Sequence, residues 1–293
     1  MKLSVVTLNY KTPDLTLSCT ESLYRQFRHE FENGTIEHII VDNLSEDGSV
    51  EKIQKEIKEK NYKNVKLIPN SENAGFGRGC NLGAQHAKGD FVLFLNSDTQ
   101  VENRDFLEMA DFLSAHPEVA IIGGKMKNSN GTAQLSAGKF YSLPYVFLML
   151  LGLERFGFMK RSPDAISKVD WVSGGCMMVN KKLFEKIGSF DKNIFMYMED
   201  MELCFRAKKH KYLTYFYPNT NVIHKAQGSS NRSFAIAHIY KGIVYFYQKH
   251  MPHWQFFLVQ WLLRTKAVLL IAVGRLTNNR YLYETYEKAL GNI

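Results

Sequence analysis

Cysteine is scarce, with four in 293 residues. Cys19, Cys80, Cys176 and Cys204 stand far apart with no CxxC pair, which excludes a zinc ribbon and a disulfide-stapled scaffold and suits a reducing compartment. A signal-peptide core is missing too, because Asn9, Tyr10 and Lys11 break the opening apolar run; the expectation is a protein that is not exported. There is no internal repeat and no low-complexity linker. No Gly-Lys-Ser/Thr ending is found, which excludes a Walker A loop, and no glycine fingerprint follows the first apolar run, which excludes an ordinary dinucleotide site. Acidic residues are the minority, 29 against 37 Lys and Arg, a formal net charge of +8. Such a surplus points to an anionic partner such as nucleic acid, nucleotide phosphates or an acidic membrane surface, and does not choose among them.

What is present is a chain that is 45% hydrophobic and long enough to bury a substantial core, as one large domain or two intimate halves. Short apolar runs at Leu3–Leu8, Ile36–Val41, Val65–Ile68 and Phe91–Leu95 predict strands. Between them Asp14–Phe27, Val50–Lys60 and Gly77–Ala87 repeat apolar residues at helical spacing, the pattern of an α/β parallel sheet with crossover helices. Further on, the pattern predicts a helix over Phe106–Ala115, a strand over Ala120–Ile122 and a turn over Asn128–Gly131. Trp171–Val179 reads as strand interrupted by Gly174 and Gly175, a sign of a bulge or close backbone approach. A strand over Asn221–Ile223 precedes His224, and the chain is helical from Ser233.

Ligands of such sheets bind beyond the carboxyl ends of the strands. There the chain places Thr7 and Asn9, then Asp42 and Asn43, then Asn70 and Asn73, then Asn96, Ser97 and Asp98. Each suits an ordinary turn, but together they assemble a polar crevice. Asp42 can accept from the ring N–H of a pyrimidine, and Asn96 and Asp98 offer oxygens to a hard divalent cation. The segment NAGFGRGCN at residues 73–81 puts glycines and Arg78 at a helix start, where backbone and guanidinium suit a diphosphate. Asp191, Glu199, Asp200 and Glu202 crowd among Phe195, Met196, Tyr197 and Met198. The apolar company can raise a carboxylate toward the pKa of a general base, and a helix's first turn accommodates the same acids electrostatically.

The runs SVVTLNY (4–10), VDNLSEDGSV (41–50), NAGFGRGCN (73–81), FLNSDT (94–99), VSGGCMMV (172–179) and FDKNIFMYMEDMELCFR (190–206), with His224 before GSS, resemble in order and spacing an inverting family-2 glycosyltransferase of the GT-A fold, in its bacterial rhamnosyltransferase-like branch. The resemblance implies a GT-A mixed sheet flanked by helices over residues 1–230, with a nucleotide-binding half at 1–99, an acceptor-binding half at 100–230 and a C-terminal helical extension at 231–293. It implies Thr7, Asn9, Asp42, Arg78, Asn96 and Ser97 beside a nucleotide sugar, Asp98 and His224 at Mg2+ or Mn2+, and Asp200 as catalytic base. Asn96 departs from the pattern, since many relatives carry Asp there, so the cation would lean on the diphosphate for its coordination. The implied donor is dTDP-rhamnose, or a UDP-hexose as second reading. The implied acceptor is a lipid-linked glycan in cell-surface polysaccharide synthesis. A nucleotidyltransferase would need a basic glycine loop between Asn9 and Asp14, a glycoside hydrolase would leave Asp42 and Arg78 idle, and a scaffold protein would not need Asp98, Asp200 and His224 together.

Two apolar stretches lie outside this chemistry. Tyr141–Leu153 precedes Arg155, Lys160 and Arg161, and Trp254–Leu276 carries Arg264 and Lys266 at its centre, where a bilayer would penalise both. They predict an interfacial helix at the inner face of the cell membrane, or equally a packed core or a homodimer interface.

Overall fold

The computed structural model describes residues 1–151, 160–225 and 231–293. In chain order it opens with β1 (Leu3–Asn9), α1 (Pro13–Gln26), α2 (Arg28–Glu32), β2 (Ile36–Asp42), α3 (Ser49–Glu59), β3 (Val65–Pro69), α4 (Gly75–Gln85) and β4 (Phe91–Leu95). There follow β5 (Thr99–Val101), α5 (Phe106–Ala115), β6 (Val119–Lys127), β7 (Ala137–Gly138), α6 (Leu143–Leu150), β8 (Lys160–Arg161), β9 (Ser167–Val169) and β10 (Trp171–Val172). The chain closes with β11 (Cys176–Asn180), α7 (Lys181–Ile187), α8 (Glu199–Lys209), β12 (Leu213–His224), α9 (Arg232–His250), α10 (His253–Leu276) and α11 (Arg280–Leu290).

Two compact units result. The first is Met1–Lys139, Lys160–Asn193 and Asp200–Ser229. Its main sheet runs in the order β3-β2-β1-β4-β11-β6-β12-β5, with β9 on β12. The first four strands are parallel, and β11 enters antiparallel to both β4 and β6. Both faces of the central strands are covered, which is why β2 is buried along its whole length and reads as a continuous apolar run broken only by residues with partners inside. One of those partnered residues is Glu37, whose carboxylate takes Ser4 Oγ at 2.7 Å, the Lys88 N–H at 2.6 Å and Lys66 Nζ at 3.1 Å. The core beneath joins Val5, Leu23, Phe27, Ile40, Leu93, Phe106 and Met178.

Helix α4 lies unusually close to the sheet. A Cβ on Gly79 would stand 2.4 Å from Leu8 Cδ1, and one on Gly83 2.4 Å from Val6 Cγ1 and 3.2 Å from Val41 Cγ2. Glycine four residues apart is thus what lets helix and strands touch. Tyr217 and Val222 of β12 flank a register shift that contains Pro218, a residue unable to donate to a ladder. Beyond the shift β12 resumes pairing with β6 and meets β5, setting His224 opposite Thr99.

The second unit is Phe140–Met159, Ile194–Glu199 and Ser230–Ile293. It thus takes in two segments upstream of the C-terminal helices. Tyr247 Oη donates to the Tyr141 carbonyl at 2.7 Å, Lys266 Nζ donates to the Met149 carbonyl, and Met198 fills the space over Gly242, where a Cβ would lie 2.6 Å from Met198 Cγ. Phe195 meets the Phe234 ring edge-on and the His238 ring at a tilt, so it is engaged with α9. Asn231 and Asn279 cap α9 and α11, accepting from the N–H groups of Phe234 and Leu282.

Candidate functional site

Register brings Asn9 opposite Asp42 at the carboxyl ends of β1 and β2. Asn9 Nδ2 donates to Asp42 Oδ1 at 2.6 Å and to Ser45 Oγ at 3.2 Å, and Ser45 gives its hydroxyl to the same Oδ1 at 2.6 Å and its N–H to Oδ2 at 3.0 Å. Thr16 Oγ1 completes the cluster by donating to Asn9 Oδ1 at 2.7 Å. Both Asn9 and Asp42 are buried. A carboxylate oxygen offers about two lone pairs, so Oδ2 of Asp42, which takes the Ser45 N–H, retains one acceptor position. Thr7, also expected to line this crevice, is buried like Asn9 and Asp42, with its hydroxyl 2.9 Å from His38 Nε2. Burial holds that histidine neutral, its pKa pushed down to about 3.

Asn43 ties the end of β2 to the start of α4. Its Nδ2 donates to Asn73 Oδ1 at 2.8 Å, and its Oδ1 accepts from Asn70 Nδ2 at 3.0 Å and the Ala74 N–H at 3.3 Å. Gly75 adopts φ +78°, the left-handed region, as the chain turns into the helix. Of the glycines in the 73–81 segment read as suiting a diphosphate, Gly79 faces the sheet instead, as does Gly83 one turn further on. Arg78 points outward and pairs with exposed Glu72.

At the end of β4 the buried Asp98 meets His224, Oδ1 to Nε2 at 3.1 Å. Asn96 Nδ2 also reaches Nε2, at 3.1 Å, and Ser97 lies between them, partly exposed. Gln134 fixes the ring. Its Nε2 donates to the carbonyl of His224 at 3.0 Å and to Asn128 Oδ1 at 2.8 Å, so its Oε1 must be the atom 2.8 Å from His224 Nδ1. Nδ1 then carries the hydrogen in the neutral ring, and the Nε2 lone pair is directed to the side of Asp98. That is the tautomer and the kind of outer-shell partner a metal-binding histidine has. Among the described residues no group of three or more His, Cys, Asp or Glu could hold a metal ion. One carboxylate and one imidazole fit a cation only if a bound diphosphate supplies further oxygens.

Asp200 sits in the first turn of α8, partly buried. Its Oδ2 accepts the Gly174 N–H at 3.1 Å and its Oδ1 the Met201 N–H at 2.7 Å. Burial raises its pKa above the ordinary carboxylate range, more than those N–H groups and the positive charge of Lys160 lower it. A Cβ on Gly174 would lie 3.1 Å from the Phe76 ring and 3.7 Å from Asp200 Cβ, so this glycine leaves room beside the carboxylate. Its neighbour Gly175 accepts the Asn96 N–H at 3.1 Å. One two-residue turn between β10 and β11 therefore holds Asp200 on one side and the Asn96–Asp98 segment on the other.

The other acids divide. Asp191 Oδ1 accepts the N–H and the Nδ2 of Asn193 at 2.9 and 3.0 Å, shaping a turn. Glu202 is buried and grips Arg206 through both oxygens at 2.9 and 2.8 Å, while Arg206 caps the carbonyls of Ile187 and Ser189. Burial pushes the thiols of Cys19, Cys176 and Cys204 up to about 11, 12 and 12, which disfavours a thiolate at these three positions. A groove of about 850 Å³ lined by Tyr24, Arg28, Lys60 and Tyr62 contains none of the polar residues at the carboxyl ends of the strands.

Residues 4–188 match the family model described as glycosyl transferase family 2. The chain belongs to that family. This family-2 glycosyltransferase is 27% identical over 257 residues to the N-acetylglucosaminyl-diphospho-decaprenol L-rhamnosyltransferase of Mycobacterium tuberculosis, covering 79% of this chain and 80% of the relative. It is 28% identical over 172 residues to rhamnosyltransferase WbbL of Escherichia coli, covering 55% of this chain and 64% of the relative. Its fold is similar to that of mannosyltransferase PcManGT from Pyrobaculum calidifontis, solved with GDP-Man and Mn2+, with a TM-score of 0.61 and 16% identity over 99% of this chain and 84% of that one. GalNAc-T7, solved with UDP, GalNAc and Mn2+, gives a TM-score of 0.63 and 15% identity over 86% of this chain and 52% of that one. At such identities the likeness establishes the GT-A architecture.

Sequence reasoning missed two members of this glycosyltransferase site. Ser45 lies three residues past Asp42, the offset of a side chain turning back on its own loop, and that spacing was the available signal. Gln134 sits 90 residues from His224 with no local signal at all.

Proposed function

We propose that this enzyme transfers L-rhamnose from dTDP-rhamnose, with inversion, to a hydroxyl of a lipid-linked glycan in the cytoplasm, as a step in cell-surface polysaccharide synthesis. The observation that carries the reading is the Gly174–Gly175 turn, which fixes a carboxylate of raised pKa beside the Asp98–His224 pair. The likeness to two rhamnosyltransferases supports the sugar, and the M. tuberculosis relative's name supports an acceptor on a polyprenyl diphosphate. Asp42 offers its one remaining acceptor position to the ring N–H that thymine and uracil share, so a UDP-linked hexose is the second donor reading.

Asp200 accepts the proton of the acceptor hydroxyl as that oxygen bonds to the anomeric carbon. On the opposite face the bond to the diphosphate oxygen breaks and its electron pair leaves with the nucleotide, so one displacement inverts the centre. Mg2+ or Mn2+ held by Asp98, His224 and the diphosphate would neutralise the charge that leaves. Asn96 holds the His224 ring from the side, and Arg78 joins the diphosphate by exchanging Glu72 for it.

A thermal-shift panel of nucleoside diphosphate sugars with and without Mn2+ tests this. A ligand at a hundred times its Kd adds about 2.7 kcal/mol to the folded state. The expected order is dTDP-rhamnose above UDP-hexoses, with the Mn2+ increment abolished in Asp98→Ala. A panel in which no nucleotide sugar moves the melting temperature would overturn the reading.

A further inference from the structure

Helix α10 carries apolar side chains on the face it keeps and on the face it shows. Val259, Leu262, Leu263, Ala267 and Gly274 are buried, where the helix packs on α6, α9 and α11. On the other side Trp254, Phe257, Trp261, Val268, Leu269 and Leu276 are 61, 61, 62, 54, 61 and 87% exposed. Their spacing follows the helical period, so they form one outward stripe. Phe147 and Leu151, on the α6 segment beside α10, are exposed as well. A single exposed leucine is ordinary; a continuous stripe with two tryptophans marks a surface that water does not normally cover.

We infer that this stripe docks in the plane of an anionic lipid bilayer. Charge selects the occupant. Residues 231–293 carry eight Lys or Arg against two Glu, and α10 itself has three Lys or Arg and no acid. Anionic headgroups neutralise that surplus, whereas a second copy of the same face would double it. Tryptophan suits the headgroup boundary, where its ring is buried and its N–H stays wet. The helix is long and apolar enough to cross a membrane, yet Arg264 and Lys266 stand mid-helix and one face is already covered by protein, so it lies along the surface. The inference is independent of which sugar is moved, and it keeps an enzyme whose acceptor is lipid-linked at the surface that holds the acceptor.

Tryptophan content makes the test direct. Of the three tryptophans, Trp171 is 6% exposed while Trp254 and Trp261 are 61 and 62% exposed, so a fluorescence shift on adding vesicles reports α10. The full chain is expected to sediment with phosphatidylglycerol vesicles at low salt with a blue-shifted emission, to bind phosphatidylcholine vesicles far less, and to be released by high salt. Replacing two stripe residues, Trp261→Ser with Leu269→Ser, should lower the partition coefficient roughly a hundredfold. The donor-dependent thermal shift of that variant should be unchanged, which separates failure here from failure of the donor assignment. Three results would overturn the inference: no binding to phosphatidylglycerol, a dimer in sedimentation velocity that the double variant converts to monomer, or membrane association that resists alkaline extraction as a spanning helix does.

Discussion

Replacing Asp200 by Asn separates catalysis from folding at one atom. The carboxylate receives the Gly174 N–H on Oδ2 and the Met201 N–H on Oδ1. Asn keeps the shape and can accept one of these with its remaining oxygen, while its NH2 group faces the other N–H, a mismatch of about 1–3 kcal/mol. Against that stands the opposite contribution. Burial raises the Asp200 pKa, so the ionised form is less stable in the folded protein than in the unfolded chain; its penalty is full above the folded pKa and fades as pH falls below it. A neutral amide removes that penalty at neutral pH. The two effects offset, and the melting temperature of the variant should stay close to that of the parent. Turnover should not. Loss of a positioned general base costs about 10²–10⁴ in rate, equivalent to roughly 3–5 kcal/mol of barrier. The parent's rate should rise with pH through a pKa above the ordinary carboxylate range, and the Asp200→Asn enzyme should lack that limb. Single-turnover transfer from the donor, measured across pH beside calorimetric donor affinity, provides the assay. Turnover within a few-fold of the parent, or the same pH limb in the variant, would refute Asp200 as base.

Other residues give separate outcomes. Gln134→Leu releases the His224 Nδ1–H, so Mn2+-dependent nucleotide affinity should drop about 10–100-fold in calorimetry while metal-free affinity is little changed. Glu202→Ala strands the largely buried Arg206 and should cost about 3–5 kcal/mol in urea unfolding, a structural loss that Asp200→Asn does not share. Gly83→Ala pushes a methyl against the branched Val6 and should cost about 1–3 kcal/mol. Gly79→Ala should cost less, because its methyl meets only the pivoting end of Leu8.

Much of the first half was legible because local periodicity and tertiary burial agree there. The four parallel strands begin at the residues where the apolar runs begin, and α5 spans Phe106–Ala115 as its pattern predicts. The interruption at Gly174 and Gly175 was also visible, but its consequence was not. Trp171–Val172 and Cys176–Asn180 belong to different sheets, β10 pairing with β7 and β11 with β4 and β6. Strand β12 is 12 residues long where the pattern marks three, since Pro218 breaks the run and the pairing that bridges the break is supplied by β6 and β5, both distant in sequence.

Sequence by itself determined the residue types at the strand ends, the family, and the acids from which a base is chosen, because motif order and short-range spacing are written along the chain. Tertiary structure alone decided what each does. Three acids within four residues, Glu199, Asp200 and Glu202, share one helix start, yet Glu202 turns inward to Arg206 while Asp200 meets Gly174 from a strand junction 26 residues away. Gly79 and Gly83 of α4 serve the contact with β1 and β2, and the tautomer of His224 follows from Gln134. Burial, hydrogen-bond direction and pKa arise from neighbours that folding brings together, and no local spacing encodes them.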